Sequence, residues 1–572
     1  MKNKFTKRKI RYAASSAAVT ALIIAAIIVF NVIFTALATK FLWYVDMTPE
    51  LLFTLSDECF DLIENGDSDF ENSTSPIEKV KEIRAANKEY NSQNGLTPDS
   101  PDYRDENIMI NIIFCDEIDA VEENLQLHYI YKNALELEVR FGEYIDVKNY
   151  NTVRNPSSVS QYMQQTNYIY TTDVIIEFGT EYRVVPCSSF YKTDDGEDAP
   201  WAYDGEKKLA ASILAVTRAE SPIACITVNH DELSGDTAAF AELFSVLETA
   251  GYIVQPIDLM NEDFPEDCRL AVVCNPRSDF LVADGVSEVD EIKKLSDFLD
   301  NSNSLMVFMG PTDQKLKHFE EFLDEWGIVF DRYQDASGNL FSKQIEDKDQ
   351  AITFTDGSYS TFISRYVTQG KGGELMNSLL DTASPPKVIF KNATPISMSS
   401  SYTMSHVTNT ETGAYFDYGE YVSSGVSRQM YNVFVSGEGA VARANGEIVA
   451  KATPTEPFSL MTVTTEKKSI SESNYSSISE YSYVIACGSV DFLSTALMQS
   501  SSYGNCDVLL SIGRTIGKEP VPVGLDLKPL GDRTIDVITA SEATQYTVVL
   551  SVVPVVVALV AGIFVIVRRK NR

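Results

Sequence analysis

The chain has only four histidines in 572 residues, and none forms a His-x-x-x-His pair. They are His128, His230, His318 and His406. A zinc site built from them would need three distant loops to meet, so no metal site is predicted.

The eight cysteines include no Cys-x-x-Cys pair, which argues against a zinc ribbon or a thioredoxin-type motif. Half of the cysteines lie in or beside apolar runs, which favours buried thiols. The alternative is that one or two disulfides form, if this part of the chain lies outside the cytoplasm.

Sequence motifs for nucleotide binding and for nucleophilic catalysis are also missing. The chain contains no Walker-type phosphate loop, no Gly-x-Gly-x-x-Gly after a strand and no Gly-x-Ser-x-Gly elbow. The sequence therefore predicts no catalytic residue, no cofactor-binding residue and no cofactor.

Positive charge is scarce, with 47 Lys and Arg against 81 Asp and Glu, a net charge of −34. Nucleic-acid binding needs clustered cations, so a nucleic-acid partner is not expected.

The 44% of hydrophobic residues and 10% of aromatic residues are enough to build folded cores. A chain of 572 residues exceeds a single core, and two or more folded units are expected.

The basic residues are concentrated at the two ends. Eleven of them lie in residues 1–40 and 547–572, where no acidic residue occurs. The long apolar runs predict transmembrane helices at 12–39 and 547–567, and the positive-inside rule places the basic tips 1–11 and 568–572 in the cytoplasm. The expected localisation is a double-pass cell-membrane protein with cytoplasmic termini, an extracytoplasmic body and the lipid bilayer as a partner. A cleaved signal peptide ending in Ala36-Leu37-Ala38 is the alternative.

The segment between the two runs divides by composition and periodicity. Residues 40–104 read as a juxtamembrane helix and a polar insertion, in which Thr48 and Ser56 are expected to begin helices. Residues 105–200 show the order β-α-β-β-β and predict a small α/β domain, with a hairpin at Gly179.

Residues 201–535 carry the clearest fold signal. Apolar strands at 223–228, 252–259, 270–274 and 305–309 alternate with helices, which predicts a flavodoxin-like or class I amidotransferase-like parallel sheet covered on both faces. Residues 331–480 are predicted to be a β-rich insertion, after which 483–488 completes the same sheet. The fold class is therefore α/β, with two membrane-anchoring helices flanking the body.

One polar cluster follows the first strand of the predicted parallel sheet. Asn229, His230, Asp231 and Glu232 lie where strand ends form sites in open α/β sheets. A histidine beside two carboxylates is typical of a ligand-binding or general-base cluster. A polar turn that caps the next helix is the alternative, and the four residues are predicted as a possible interaction loop.

Several dispersed segments resemble the auxiliary components of ABC transport systems, the gliding-motility GldG-like family. They are Val45-Asp46-Met47-Thr48, Phe53-Thr54-Leu55-Ser56, Asn229-His230-Asp231-Glu232, Leu247 to Tyr252, Val272 to Pro276, Trp326-Gly327-Ile328 and Cys487 to Leu493. Tyr44 stands where the family has Arg, and Asn229 and Asp231 replace two family glycines. The resemblance implies an accessory subunit that associates with an ABC permease and ATPase and has no catalytic residues.

The leading hypothesis is thus a membrane-anchored, non-catalytic accessory subunit of an ABC-type transport system, with an extracytoplasmic interaction domain and possible self-association. One alternative is an extracytoplasmic α/β hydrolase, in which Cys225 or His230 would line a cleft. Another is an extracytoplasmic receptor for a carbohydrate or peptide.

Overall fold

The computed structural model describes most of the chain between residues 46 and 530. The described residues are 22, 24–34, 37–38, 46, 48, 50–66, 74–164, 168–193, 199–218, 221–232, 237–283, 288–352, 359–382, 384–408, 415–423, 425–473, 476–500, 502–517 and 521–530. The predicted span 547–567 and both basic tips lie outside them.

The predicted membrane helices are not supported. In the first predicted span the structure describes helical residues at 22, 24–34 and 37–38. A bilayer core is about 30 Å thick. No described helix is both long and apolar enough to cross it. The prediction of two membrane-anchoring helices is therefore wrong for the described chain, and so is the double-pass localisation with cytoplasmic termini and an extracytoplasmic body.

In the described chain after residue 46, the first sheet is preceded by the helices α1 (Asp57–Asn65) and α2 (Pro76–Asn94). Ser56 caps α1 as predicted, since its hydroxyl accepts a hydrogen bond from the Cys59 N–H at 3.2 Å. Thr48 accepts from the Leu52 N–H at 2.8 Å, but the chain forms a turn there and no helix.

The first sheet has four strands in the order β2-β1-β3-β4. Its elements are β1 (Ile110–Phe114), α3 (Ile118–Glu123), α4 (Leu125–Phe141), β2 (Ile145–Asn149), β3 (Val174–Phe178) and β4 (Glu181–Val185). The strands β1 and β2 are parallel, and β3 and β4 form the predicted hairpin, in which Gly179 has φ 66°. The predicted β-α-β-β-β order is confirmed, with two helices in the first connection.

A junction connects this sheet to the larger one. It consists of β5 (Tyr191–Thr193), β6 (Pro200–Tyr203) and α5 (Gly205–Thr217), and β26 (Lys528–Pro529) pairs with β6. The helix α5 is almost entirely buried, and its apolar residues pack in the core of the first sheet.

The large sheet contains a run of parallel strands in the order β25-β10-β9-β7-β8. These strands and the helices around them are β7 (Ile223–Thr227), α6 (Thr237–Thr249), β8 (Ile253–Ile257), β9 (Cys268–Cys274), α7 (Glu291–Asp300), β10 (Ser304–Phe308), α8 (Lys317–Glu325), β25 (Ser476–Cys487), α11 (Thr495–Met498) and α12 (Asn505–Gly517). Successive β10 side chains enter different cores, with Met306 and Phe308 on one face and Leu305 and Val307 on the other. Both faces of the sheet are therefore covered, as the apolar strands predict.

The predicted β-rich insertion extends the same sheet. The strands β19 (Thr403–Thr408), β20 (Tyr415–Ser423), β21 (Val426–Val435) and β24 (Ser459–Ser473) pair antiparallel in succession, and β24 pairs antiparallel with β25. Since β25 also pairs parallel with β10, it joins the two halves. The fold is α/β. The predicted parallel sheet is present as the run β25-β10-β9-β7-β8, but the sheet as a whole is mixed because the insertion adds antiparallel strands at β25. An apolar run does not encode the direction of its neighbour.

Shorter elements surround this antiparallel half. They are β11 (Ile328–Phe330), β12 (Arg332–Gln334), β13 (Leu340–Ser342), β14 (Gln344–Glu346), β15 (Thr361–Ile363), β16 (Arg365–Tyr366), α9 (Gly370–Leu375), α10 (Asn377–Leu380), β17 (Ile389–Lys391), β18 (Ile396–Met398), β22 (Val441–Ala444) and β23 (Glu447–Lys451).

Gly488, directly after β25, provides a test of the packing between the two halves. A Cβ atom at this position would overlap the carbonyl oxygen of Thr394, which is backbone and cannot rotate away. We expect Gly488→Ala to lower the free energy of unfolding by about 1–3 kcal/mol, as overpacked sites do. Urea denaturation measures this, with Gly517→Ala as control, because a Cβ there meets Tyr252 at an ordinary 3.7 Å. Equal effects of the two substitutions would contradict the close approach at Gly488.

Candidate functional site

The predicted interaction loop lies directly after β7, at the carboxyl edge of the parallel strands. Its side chains alternate in burial: Asn229 and Asp231 are at least partly exposed, whereas His230 and Glu232 are buried. Only the exposed pair can contact another molecule directly. The buried pair faces the interior of the protein.

The imidazole ring of His230 lies between two buried carboxylates. Its Nδ1 is 3.2 Å from Oε1 of Glu232, and its Nε2 is 3.1 Å from Oε2 of Glu291, the first residue of α7. A histidine donates through both ring nitrogens only as the imidazolium cation. The three side chains, here called the His230 cluster, therefore pair one cation with two carboxylates.

The pKa of His230 reflects two opposed effects. Burial lowers it, but hydrogen bonds and negative charges from Glu232 and Glu291 outweigh burial and raise the pKa to about 9. Each carboxylate also accepts a backbone hydrogen bond, Glu232 from the His230 N–H at 2.7 Å and Glu291 from the Leu281 N–H at 2.8 Å. The ring is thus protonated at neutral pH.

The His230 cluster joins two loops of the carboxyl edge. The ring stacks on Phe280, with centroids 3.8 Å apart and planes 5° from parallel. The carbonyl oxygen of His230 accepts hydrogen bonds from the N–H groups of Arg277 at 2.7 Å and Ser278 at 3.1 Å. The loops that follow β7 and β9 are therefore held together by side-chain and backbone contacts.

Three residues of this edge that are not glycine have left-handed backbone conformations. The φ angles are 83° at Asn229, 51° at Asp231 and 52° at Asn275, which follows β9. Asn and Asp tolerate this region better than other side chains, and such residues often cluster at functional sites. His230 lies between Asn229 and Asp231 in the chain, and its contacts hold these two residues in their left-handed conformations.

The geometry does not favour a catalytic role for Cys225 or His230. Cys225 lies in the middle of β7 with no exposed surface, so it lines no cleft. Both ring nitrogens of His230 contact carboxylates, and the ring is almost completely enclosed. Neither residue can therefore reach a substrate in this conformation.

The described residues contain no group of three His, Cys, Asp or Glu side chains that could hold a metal ion. All eight cysteines carry free thiols, and seven of them are buried. Of the two alternatives left by the sequence, the structure thus has thiols in place of disulfides.

Glu291 is the member of the His230 cluster that the sequence analysis missed. It is separated from His230 by 61 positions. A local signal does exist, because Glu291 shares the buried face of α7 with Leu295 and Phe298, at i+4 and i+7. A carboxylate on an otherwise apolar helix face is expected to have a buried partner.

Comparisons with known proteins add little to this geometry. No protein-family model matches the chain, and no curated protein matches it significantly. A solved structure titled "mmIFT52 N-terminal domain" is similar at 10% identity and a TM-score of 0.31, over 51% of this chain and 96% of that chain. None of these comparisons supports the predicted transport and gliding-motility functions, and no described helix supports the predicted transmembrane character, so these predictions are not retained.

Proposed function

We propose that the chain is a non-catalytic accessory subunit that acts by binding partner proteins in a larger assembly. The observation that carries the proposal is the state of His230, which is enclosed and has both ring nitrogens bound to carboxylates. A histidine held in this way fixes a loop and is not available for proton transfer. The loop that it fixes presents Asn229 and Asp231 to the solvent.

The partner proteins to test first are those that the sequence resemblance implies, the ATPase and permease subunits of ABC-type systems. We propose them only as binding partners, and no transport or gliding-motility function is proposed with them. We expect the contact to include the side chains of Asn229 and Asp231. A rigid, exposed turn loses little conformational entropy on binding, which favours its use as a recognition element.

Affinity purification of the tagged full chain from detergent-solubilised native cells tests the proposal. We expect both partner subunits to co-purify with the natural chain. The double substitution Asn229→Gly and Asp231→Gly removes both side chains, and it keeps the left-handed backbone because glycine adopts it without strain. We expect this variant to recover less than about a tenth of the partners, equivalent to a loss of about 1.4 kcal/mol in binding.

Asn445→Gly is the matched control, since Asn445 is also exposed and has φ 49° in the turn between β22 and β23. It should recover the partners as the natural chain does. Failure of the natural chain to recover either subunit would remove the proposed partner class. Recovery that is unchanged in the double variant would remove the loop from the interface.

A further inference from the structure

A polar cavity of about 220 Å³ lies at the junction between the two sheets. Charged side chains from separate parts of the chain line it: Lys192 on β5, Asp204 and Lys207 at the start of α5, Asp507 at the start of α12, and Asp526. The volume is below the roughly 300–1,000 Å³ of sites for drug-sized ligands, so only a small molecule fits.

The charged residues of this junction cavity are buried or half-buried, except for Asp526, which is exposed. Lys207 is buried and donates to Asp507 at 3.2 Å, using one of the three N–H groups of its ammonium. Lys192 lies 3.7 Å from Glu242 and 4.0 Å from Asp204, distances too long for hydrogen bonds. Lysine donors are therefore available to a bound group.

Asp204 provides a buried acceptor that lacks a donor. It precedes α5 in the N-cap position, yet its side chain makes no capping hydrogen bond. Only 4% of the residue is exposed, and its Oδ1 accepts no hydrogen bond from any described residue. A buried carboxylate oxygen of this kind requires an explanation, since nearly all such groups in proteins are paired. Because Asp204 lines the cavity, a bound donor would pair it.

We propose that the junction cavity binds a small zwitterion of the α-amino acid class. The ammonium group of the ligand pairs with Asp204, and its carboxylate pairs with Lys192. The two protein groups are 4.0 Å apart, which matches a ligand whose opposite charges are attached to one carbon atom. Lys207 and the N-terminus of α12 add positive potential to the cavity, and Asp507 and Asp526 add negative charge. This inference does not depend on the proposed partner proteins.

Isothermal titration calorimetry of the full chain with the common α-amino acids as probes tests the inference. We expect at least one of them to bind with a dissociation constant below about 1 mM and to raise the unfolding temperature at saturation. Its N-acetyl and carboxamide derivatives each lack one charge, and we expect both to bind at least about tenfold more weakly.

Asp204→Asn removes the carboxylate charge with little change of shape and should weaken binding about tenfold or more. Asp290→Asn, at the N-cap of α7, is the matched control and should bind the probe normally. If Asp204→Asn does not fold, Lys192→Met at the other side of the cavity provides the same test. The inference is overturned if no amino acid binds, or if binding survives in the variants or needs only one charged end of the probe.

Discussion

Replacing His230 with Gln is expected to lower the free energy of unfolding by about 3–5 kcal/mol at pH 7. The substitution removes the cation and leaves Glu232 and Glu291 as buried carboxylates without a charge partner. Breaking a buried ion cluster in this way has a cost of this size, because the remaining charges stay desolvated. Urea denaturation of the natural chain and the variant at pH 7 measures the difference.

The pH dependence distinguishes loss of the cation from loss of packing. The pKa of His230 is about 9 in the folded chain and about 6.5 in an unfolded one, so its contribution is complete below pH 6.5 and is lost as pH rises through 9. The natural chain should therefore lose roughly 3 kcal/mol over this interval because of His230. The His230→Gln variant should not show this loss.

His128→Gln is the control for this experiment. Burial lowers the pKa of His128, and the nearby Lys132 lowers it further, which is opposite in direction to the shift at His230. Its replacement should leave the slope of stability against pH unchanged between pH 6.5 and 9. If the natural chain and His230→Gln show the same slope, the charged His230 cluster is not present.

Local sequence patterns predicted the elements that depend on near neighbours. The strands β7 and β10 lie within one residue of the predicted ranges 223–228 and 305–309, since each is a continuous apolar run. Ser56 was expected to begin a helix and does so, because its hydroxyl reaches an N–H group three positions away. The hairpin of β3 and β4 turns at Gly179, where the left-handed φ favours glycine.

The remaining features depend on contacts between distant positions. The apolar run that ends at Cys487 predicts a buried strand, but the sequence does not indicate that β24 pairs antiparallel on its other side. Likewise, the loop residues His230 and Glu232 were identified as a cluster, while Glu291 enters it from the start of another helix. Asp204 resembles an ordinary helix cap in sequence, and only the structure shows that its carboxylate lines a cavity.

Arg332→Met, like His230→Gln, is expected to lower the free energy of unfolding by about 3–5 kcal/mol. The guanidinium group of Arg332 donates to both carboxylate oxygens of Glu320 at 2.7 and 2.8 Å, and both side chains are more than nine-tenths buried. Its other donors bind the carbonyl oxygens of Thr312 at 2.9 Å and Gln314 at 2.6 Å. Methionine fills similar space but leaves these acceptors without donors and Glu320 without a cation.

Arg140→Met is the matched control, because the Arg140–Glu64 pair is 3.5 Å apart and exposed on both sides. Exposed pairs contribute about 0–1 kcal/mol, so the two Arg→Met substitutions should differ by at least about 2 kcal/mol in urea denaturation. A similar small effect for both would mean that water reaches Glu320. The loop between β10 and α8 would then not be fixed by Arg332, and this part of the carboxyl edge would be free to move. A large effect at Arg332 alone means that the buried Arg332–Glu320 pair fixes this loop.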